Sequence, residues 1–206
     1  IARIQHADPQ RLLEARMVVM NCWIGLSRSE LMALAREDVD LDNGVIHVHR
    51  AYVDGIYRIP KEKKRERFAE LIKPAAELMK LILEDTAGCM PQPIEVTQRD
   101  NLTSESERVT FLFRDWTTGN AWRPDHLDEW FKEHLVKSKV NHRGINQCRH
   151  TFASQALSSH VSLEWLGHAD ITMIKKHYAK LIPADTKRMG SDVSEQMGFG
   201  EEWGGV

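Results

Sequence analysis

The sequence predicts an α+β domain that is mainly helical and carries a small antiparallel β-sheet. Apolar residues recur at helical spacing in several separated segments, whereas one early stretch alternates with the period of a strand and leads into a hairpin turn. The 206 residues are 42% hydrophobic and 28% charged, which is typical of one soluble globular domain. A chain of this length can bury a core of its own.

The first two helices are predicted near the N-terminus. Apolar residues at broadly helical spacing predict a helix over residues 10–26, and Gly25 fits its end. The order Ser-Arg-Ser-Glu that starts at Ser27 is that of a capping box, in which the serine and glutamate side chains satisfy backbone N–H groups. It predicts a second helix that runs to about Arg36.

A hairpin is predicted after these helices. Residues 44–51 alternate between aliphatic residues and histidines, which suits a half-buried strand. Asp54-Gly55 is a hairpin turn signal, and Ile56 to Pro60 is the predicted partner strand.

The middle of the chain is predicted to be helical with one short strand. Pro74 lies at the start of a third helix. Residues 85–108 are polar and contain glycine and prolines, so we interpret them as a long connection without a chemical role. A short strand is predicted over 109–113, and an amphipathic helix over 124–137 whose aromatic residues belong to the core rather than to a base-stacking platform.

Composition narrows the class of protein. No apolar run approaches ~18 residues and no signal peptide is visible, so neither a membrane span nor secretion is expected. The cysteines, Cys22, Cys89 and Cys148, are odd in number and are not spaced as zinc ligands are. We therefore expect reduced thiols and a cytoplasmic protein, and no zinc site formed by these cysteines.

The formal net charge of −2 is unlike that of a generic nucleic-acid coat protein. Basic residues nevertheless cluster at 61–67, at 132–143 and at Lys175-Lys176. Such clusters are either solvated faces or the basic face that DNA binding needs, and charge alone leaves both interpretations open.

Residues whose side chains could take part in catalysis lie close together towards the C-terminal end of the sequence. Arg149, His168 and Tyr178 fall within about thirty residues. An arginine can hold a phosphate with two hydrogen bonds, a histidine can exchange a proton, and a tyrosine hydroxyl can attack phosphorus. Together they fit phosphoryl transfer, although any one of them alone is more often a packed core residue.

The order of these residues resembles a known signature. Arg-His-Thr-Phe-Ala-Ser from Arg149, Leu-Gly-His ending at His168, and Tyr178 followed by Ala-Lys-Leu-Ile-Pro resemble the tyrosine recombinases, the phage-type integrases. The resemblance spans roughly residues 10 to 185. It implies a catalytic domain over 1–189 followed by a tail over 190–206, with the separate N-terminal DNA-binding domain of the family absent.

The resemblance also implies roles. Tyr178 would attack the scissile phosphate, Arg149 and His168 would stabilise the charge on the phosphate oxygens, and Lys61 would protonate the leaving 5′ oxygen. Contacts to double-stranded DNA are expected from four further residues: Lys63, Lys64, Arg65 and Lys175. The family implies a homotetramer on DNA and no cofactor.

Two positions depart from the family pattern. The first catalytic arginine of the family falls at Ser27, and Arg28 stands one residue out of register, which on a helix is a rotation of ~100°. Asn146 stands where most of the family has a histidine, three residues before Arg149, and an amide cannot shuttle a proton at neutral pH. Ser27, Arg28 and Asn146 are therefore catalytic candidates that the resemblance leaves open.

Three functions compete. The first is a working integrase of a phage or mobile element, impaired if Arg28 does not replace the missing arginine. The second is a degenerate relative that binds DNA and cuts nothing. The third, more distant, is an enzyme like the type IB topoisomerases, which use the same chemistry. The segment between Ser154 and Gly167 is also about one helical turn shorter than the family usually has.

Overall fold

The computed structural model describes residues 12–60, 66–115 and 120–158. Its helices are α1 (Leu12–Ile24), α2 (Arg28–Ala33), α3 (Lys73–Asp85), α4 (Pro124–Lys137) and α5 (Gln147–Ser158), with a short 3₁₀ helix at Arg36–Asp38. Its strands are β1 (Val39–Asp40), β2 (Val45–Val48), β3 (Ala51–Val53), β4 (Ile56–Arg58), β5 (Arg67–Glu70), β6 (Gln92–Thr97) and β7 (Ser104–Val109). The predicted α+β class is confirmed.

The strands form two sheets rather than one. One sheet has the order β1-β2-β5 and is antiparallel, with Ile46 of β2 opposite Ala69 of β5. The other has the order β3-β4-β6-β7, in which β4 and β6 pair in parallel and the other neighbours are antiparallel. The hairpin turn at Asp54-Gly55 is confirmed, with φ of 52° and 83° as a two-residue hairpin turn requires, and it joins β3 to β4. The predicted first strand of this hairpin, over 44–51, is wrong: the segment contains β2, which belongs to the sheet with β1 and β5, and β4 pairs with the shorter β3 instead.

The predicted long connection over 85–108 is wrong, because it contains all of β6 and most of β7. The error has a physical cause. In β6 only Ile94 and Val96 point inward, and β7, with the sequence Ser-Glu-Ser-Glu-Arg-Val, is almost entirely exposed. As the edge strand it is held by its hydrogen bonds to β6 and offers no hydrophobic pattern. The strand predicted over 109–113 is also wrong: β7 runs from Ser104 to Val109, and beyond it Phe111 forms an isolated bridge to Ala35.

Helix α1 lies at the centre of the described part of the chain. Ten of its residues are buried, on all sides of the helix, and it packs against α3 and α5. The aromatic residues predicted to be core are buried: Trp130 and Phe131 of α4 join the same apolar cluster as α1. In the segments that the structure describes, no helix is long and apolar enough to cross a membrane.

The turn between α1 and α2 places the start of α2 next to α5. Gly25 ends α1 with φ of 67°, and its N–H donates to the carbonyl of Asn21 at 3.0 Å. Helix α2 begins only three residues later, with the predicted capping box formed by Ser27 and Glu30. The chain therefore bends sharply at Gly25. The carbonyl group of Gly25 and the side chain of Glu30 both contact Arg149 in the first turn of α5.

Candidate active site

Four of the predicted site residues lie in the described residues: Ser27, Arg28, Asn146 and Arg149. The others lie outside the described residues: Lys61, Lys63, Lys64, Arg65, His168, Lys175 and Tyr178. The described four come together from two distant parts of the chain, because α5 packs along α1 and brings residues 146–149 to the start of α2.

Arg149 is held at the junction of α1 and α2. Its Nη1 donates to the carbonyl oxygen of Gly25 at 2.6 Å and lies 3.6 Å from Oε2 of Glu30. The side chain is only 11% exposed, so its direction is set by these contacts rather than by solvent. An arginine fixed in this way is preorganised for an anion that approaches from outside.

Glu30 lies beneath Arg149 and is 2% exposed. Arg67, the first residue of β5, donates to it twice, from Nη1 to Oε1 at 3.0 Å and from Nη2 to Oε2 at 3.2 Å. The backbone N–H of Ser27 donates to Oε2 at 2.9 Å. The carboxylate is thus shared by two guanidinium groups and one N–H, which is how a buried charge is tolerated.

These contacts keep Glu30 ionised. Burial by itself raises the pKa of its carboxyl group, but the hydrogen bonds and charge of Arg67, the charge of Arg149 and the Ser27 N–H outweigh it, so the pKa lies below its ordinary value. Among the described residues, Glu30 is thus an ionised carboxylate that orients the cation of Arg149.

Ser27 acts as a helix cap. Its Oγ accepts the N–H of Glu30 at 3.4 Å while its own N–H donates to the Glu30 carboxylate. A serine carries no charge, so position 27 supplies no cation next to Arg149.

The Arg28 side chain has a different set of partners. Its guanidinium pairs with Asp128 of α4, and its backbone N–H donates to Oδ1 of Asn146 at 3.0 Å. Arg149, in contrast, contacts Gly25 and Glu30. The structure therefore brings Arg28 to α4, as the rotation of one residue on a helix would suggest. Asn146 connects the start of α2 to the segment before α5.

Glu30 and Arg67 are site residues that the sequence did not reveal. Glu30 was assigned no catalytic role beside its place in the capping box, and Arg67 was one member of the basic cluster 61–67. Alternation along β5 gives no help, because Arg67 is buried there while its neighbour Phe68 is 62% exposed. A charge in an inward strand position with a partner 37 residues away cannot be found from local pattern.

A second buried ion pair joins the two sheets. Nη2 of Arg50 donates to both oxygens of Asp38, at 2.7 and 2.6 Å, and Nη1 pairs with Glu107 of β7. The N–H of Ala35 donates to the same aspartate at 2.8 Å. Burial raises the pKa of Asp38 to about 6, and the charge of Arg50 opposes that rise. Through Arg50 the pair connects the 3₁₀ helix to β7.

Metal-binding potential can be judged only for the part of the chain that the structure describes. Within residues 12–60, 66–115 and 120–158, no three His, Cys, Asp or Glu side chains are grouped so that they could hold a metal ion.

The chain matches known proteins over most of its length. Residues 2–184 match the model of the Phage integrase family. The Escherichia coli K12 protein IntQ, whose name describes it as defective, is 26% identical over 172 residues, which are 78% of this chain and 43% of IntQ. Prophage integrase IntR of the same strain is 26% identical over 169 residues, 78% of this chain and 41% of IntR. The chain spans about two fifths of the length of these relatives.

Solved structures share the fold. The integrase of transposon Tn1549, in complex with circular intermediate DNA, superposes with a TM-score of 0.67 at 20% identity, over 95% of this chain and 60% of that one. The XerA recombinase superposes with a TM-score of 0.60 at 15% identity, over 95% of this chain and 58% of that one.

Proposed function

Because this chain belongs to the phage integrase family, we propose that it cuts and rejoins DNA in site-specific recombination, with Tyr178 as the nucleophile. The observation that carries the proposal is the setting of Arg149. An arginine almost withdrawn from solvent, oriented by the Gly25 carbonyl and backed by the ionised Glu30, is suited to bind a phosphate group.

The proposed reaction is a transfer of one phosphoryl group. The Tyr178 hydroxyl gives up its proton to solvent, and its oxygen forms a bond to the scissile phosphorus while the bond to the 5′ oxygen breaks. Lys61 gives the leaving 5′ oxygen its proton. The phosphotyrosine link keeps the phosphodiester bond energy, so a 5′ hydroxyl can later attack the phosphorus and release the tyrosine. A free tyrosine has a pKa near ~10, so its hydroxyl is almost entirely protonated at neutral pH. Cations around the hydroxyl stabilise the deprotonated oxygen, which is the form that attacks.

Arg149 and His168 would stabilise the charge on the non-bridging phosphate oxygens. A guanidinium has five N–H donors in a planar fork, a geometry that suits phosphate oxygens. Glu30 is then a positioning residue, since it acts on the phosphate only through Arg149. Its contact with Arg67 also connects Arg149 to β5, the strand that follows the segment containing Lys61.

A degenerate, DNA-binding relative is the second candidate, and Ser27 favours it. Ser27 serves as a helix cap and Arg28 pairs with Asp128, so the described residues supply one arginine next to Glu30 from α5 and none from position 27. Loss of one transition-state arginine typically costs on the order of 10²–10⁵ in rate. We therefore propose strand cleavage that is slow rather than absent.

The test is a suicide-substrate assay with nicked DNA from the ends of the mobile element, in which the covalent adduct is read on a denaturing gel. The chain as given, Tyr178→Phe, Ser27→Arg and Arg149→Lys are compared at equal concentration. We expect a slow adduct that Tyr178→Phe abolishes, that Arg149→Lys reduces because the forked donors are lost, and that Ser27→Arg accelerates.

The outcomes separate the candidates. No adduct until Ser27→Arg is made would identify a recombinase that lacks its first arginine. An adduct that persists in Tyr178→Phe would contradict the assignment of the nucleophile. Silence from every variant, together with DNA binding, would favour the degenerate relative.

The remaining expectations belong to the same proposal. Double-stranded DNA is the proposed partner and a homotetramer the proposed assembly on it, which light scattering with and without DNA would test. The catalytic domain is proposed to cover 1–189 and the tail 190–206, with Lys63, Lys64, Arg65 and Lys175 on DNA phosphates. The proposed location is the cytoplasm, where Cys22, Cys89 and Cys148 would stay reduced.

A further inference from the structure

A cleft of about 270 Å³ lies between α4 and the segment that leads into α5. Arg28, Asp128 and Phe131 form one part of its wall, and Arg143 and Asn146 belong to the other. The family comparisons assign no role to it, and Arg149 does not line it.

The charges in the cleft suit an anion. Arg28 and Arg143 each carry a fixed positive charge, and among the described residues that line the cleft Asp128 is the acidic one. The side chains of Arg28 and Asp128 are 36% and 48% exposed, so solvent weakens their ion pair. A phosphate that enters the cleft can therefore replace the carboxylate at small cost, with Arg143 adding a second cation.

The cleft is tied to the candidate active site through the backbone. Arg28 follows Ser27 directly, and Asn146 lies three residues before Arg149. The hydrogen bond of 3.0 Å from the Arg28 N–H to Asn146 Oδ1 holds the two walls of the cleft together. A duplex with one phosphate at Arg149 would thus present another phosphate of the same backbone close to this cleft.

We propose that the cleft binds a backbone phosphate of DNA adjacent to the scissile one, with Arg28 and Arg143 as its ligands and Asp128 as the counterion that this phosphate displaces. The inference rests on the proposed function and deepens it. It assigns Arg28 a role in holding DNA instead of the catalytic role that its position next to Ser27 suggests.

The salt dependence of DNA binding tests the cleft, because each phosphate contact adds about 0.9 to the slope of log K against log salt concentration. Binding of a fluorescent duplex would be followed by anisotropy at several salt concentrations. We expect Arg28→Gln and Arg143→Gln each to lower the slope by up to about 1. Asp128→Asn should raise the affinity by roughly two- to fivefold, since it removes the competing charge.

A matched pair on the same helix supplies the controls. Arg123 and Asp125 form an exposed ion pair at the start of α4 and do not line the cleft. Arg123→Gln and Asp125→Asn should leave the slope and the affinity close to those of the unchanged protein. Equal effects at the cleft pair and at this pair would overturn the inference.

The phosphate itself can be located with duplexes that carry one neutral methylphosphonate at each backbone position in turn. When the methylphosphonate replaces the contacted phosphate, the unchanged protein should bind this duplex more weakly than the unmodified duplex. Arg28→Gln, which has already lost that contact, should bind the two duplexes almost equally. Full losses in Arg28→Gln at every position would overturn the cleft site while DNA binding stands. A protein that binds no duplex at low salt would overturn the proposed function as well.

Discussion

The substitution Glu30→Gln tests the reasoning about the site most directly. It keeps the shape of the side chain and removes the charge that Arg67 and Arg149 share. The buried side chain of Arg67, 7% exposed, would then face a neutral amide. We expect a large loss of stability together with a loss of strand cleavage.

The magnitude follows from burial. Removing one partner of a buried ion pair costs roughly 3–5 kcal/mol, because the other charge is left uncompensated. For a domain of this size each kcal/mol lowers the midpoint of thermal unfolding by roughly 2–4 °C, so a drop on the order of 6–20 °C is expected. An exposed pair is a fitting control: Glu77 and Lys80, 60% and 53% exposed, should give less than about 0.5 kcal/mol when Glu77→Gln is made.

The assay is urea unfolding followed by circular dichroism, at pH 7 and again in acid. The folded pKa of Glu30 lies below the ordinary value of 4.5, so its stabilising effect is complete above pH 4.5 and is lost as the pH falls through the folded value. The difference between the unchanged protein and Glu30→Gln should therefore shrink in strong acid. A difference under about 1 kcal/mol at pH 7 would refute the shared-carboxylate reasoning.

Three further predictions follow from individual contacts. Ser27→Arg removes a helix cap and should cost about 0.5–2 kcal/mol of stability even as it speeds cleavage, measured by unfolding and adduct formation on one preparation. Cys89, which is partly exposed, should react with a maleimide in the folded protein, whereas the buried Cys22 and Cys148 should react only after unfolding. Burial, and then the charge of neighbouring His49, lower the pKa of His47. The unfolded protein therefore binds a proton at this histidine before the folded protein does, and stability should fall as the pH drops from 6.5 through the folded pKa. His47→Gln should lessen that loss of stability in urea titrations.

Each of these has a contrary outcome. A Ser27→Arg protein as stable as the unchanged one would mean that the capping box contributes nothing. Fast labelling of all three cysteines would contradict the burial of the contact between α1 and α5. Equal acid sensitivity in His47→Gln would mean that neither burial nor the neighbouring ring of His49, 4.4 Å away, disfavours the charged form of His47.

The first four helices and the hairpin turn could be predicted because each has a local cause. The capping box at Ser27, Pro74 at the first turn of α3 and the left-handed Asp54-Gly55 turn all act within a few residues. The edge strand β7 could not, since its side chains are exposed and its partner β6 alone gives it its conformation. A strand made by pairing leaves no hydrophobic signature in its own sequence.

The candidate site divides in the same way. Arg149 was predicted from a motif, but the groups that hold it were not, because the Gly25 carbonyl is a backbone atom 124 residues away. Arg28 could be placed out of register by helix geometry, and the structure adds that Asp128 is its partner. A contact between two helices that are far apart in the sequence depends on tertiary packing, so no short stretch of sequence can predict it.

Arg67 and Arg149, which share the carboxylate of Glu30, become available at different times during synthesis of the chain. Arg67 leaves the ribosome about 80 residues before Arg149, which at 5–20 residues per second is a delay of roughly 4–16 s. We expect Arg67 to neutralise Glu30 during that interval, so that the carboxylate is not left without a counterion before α5 is made. Arg149 then docks onto a carboxylate that is already compensated, and the phosphate-binding arrangement is completed only after α5 has been synthesised.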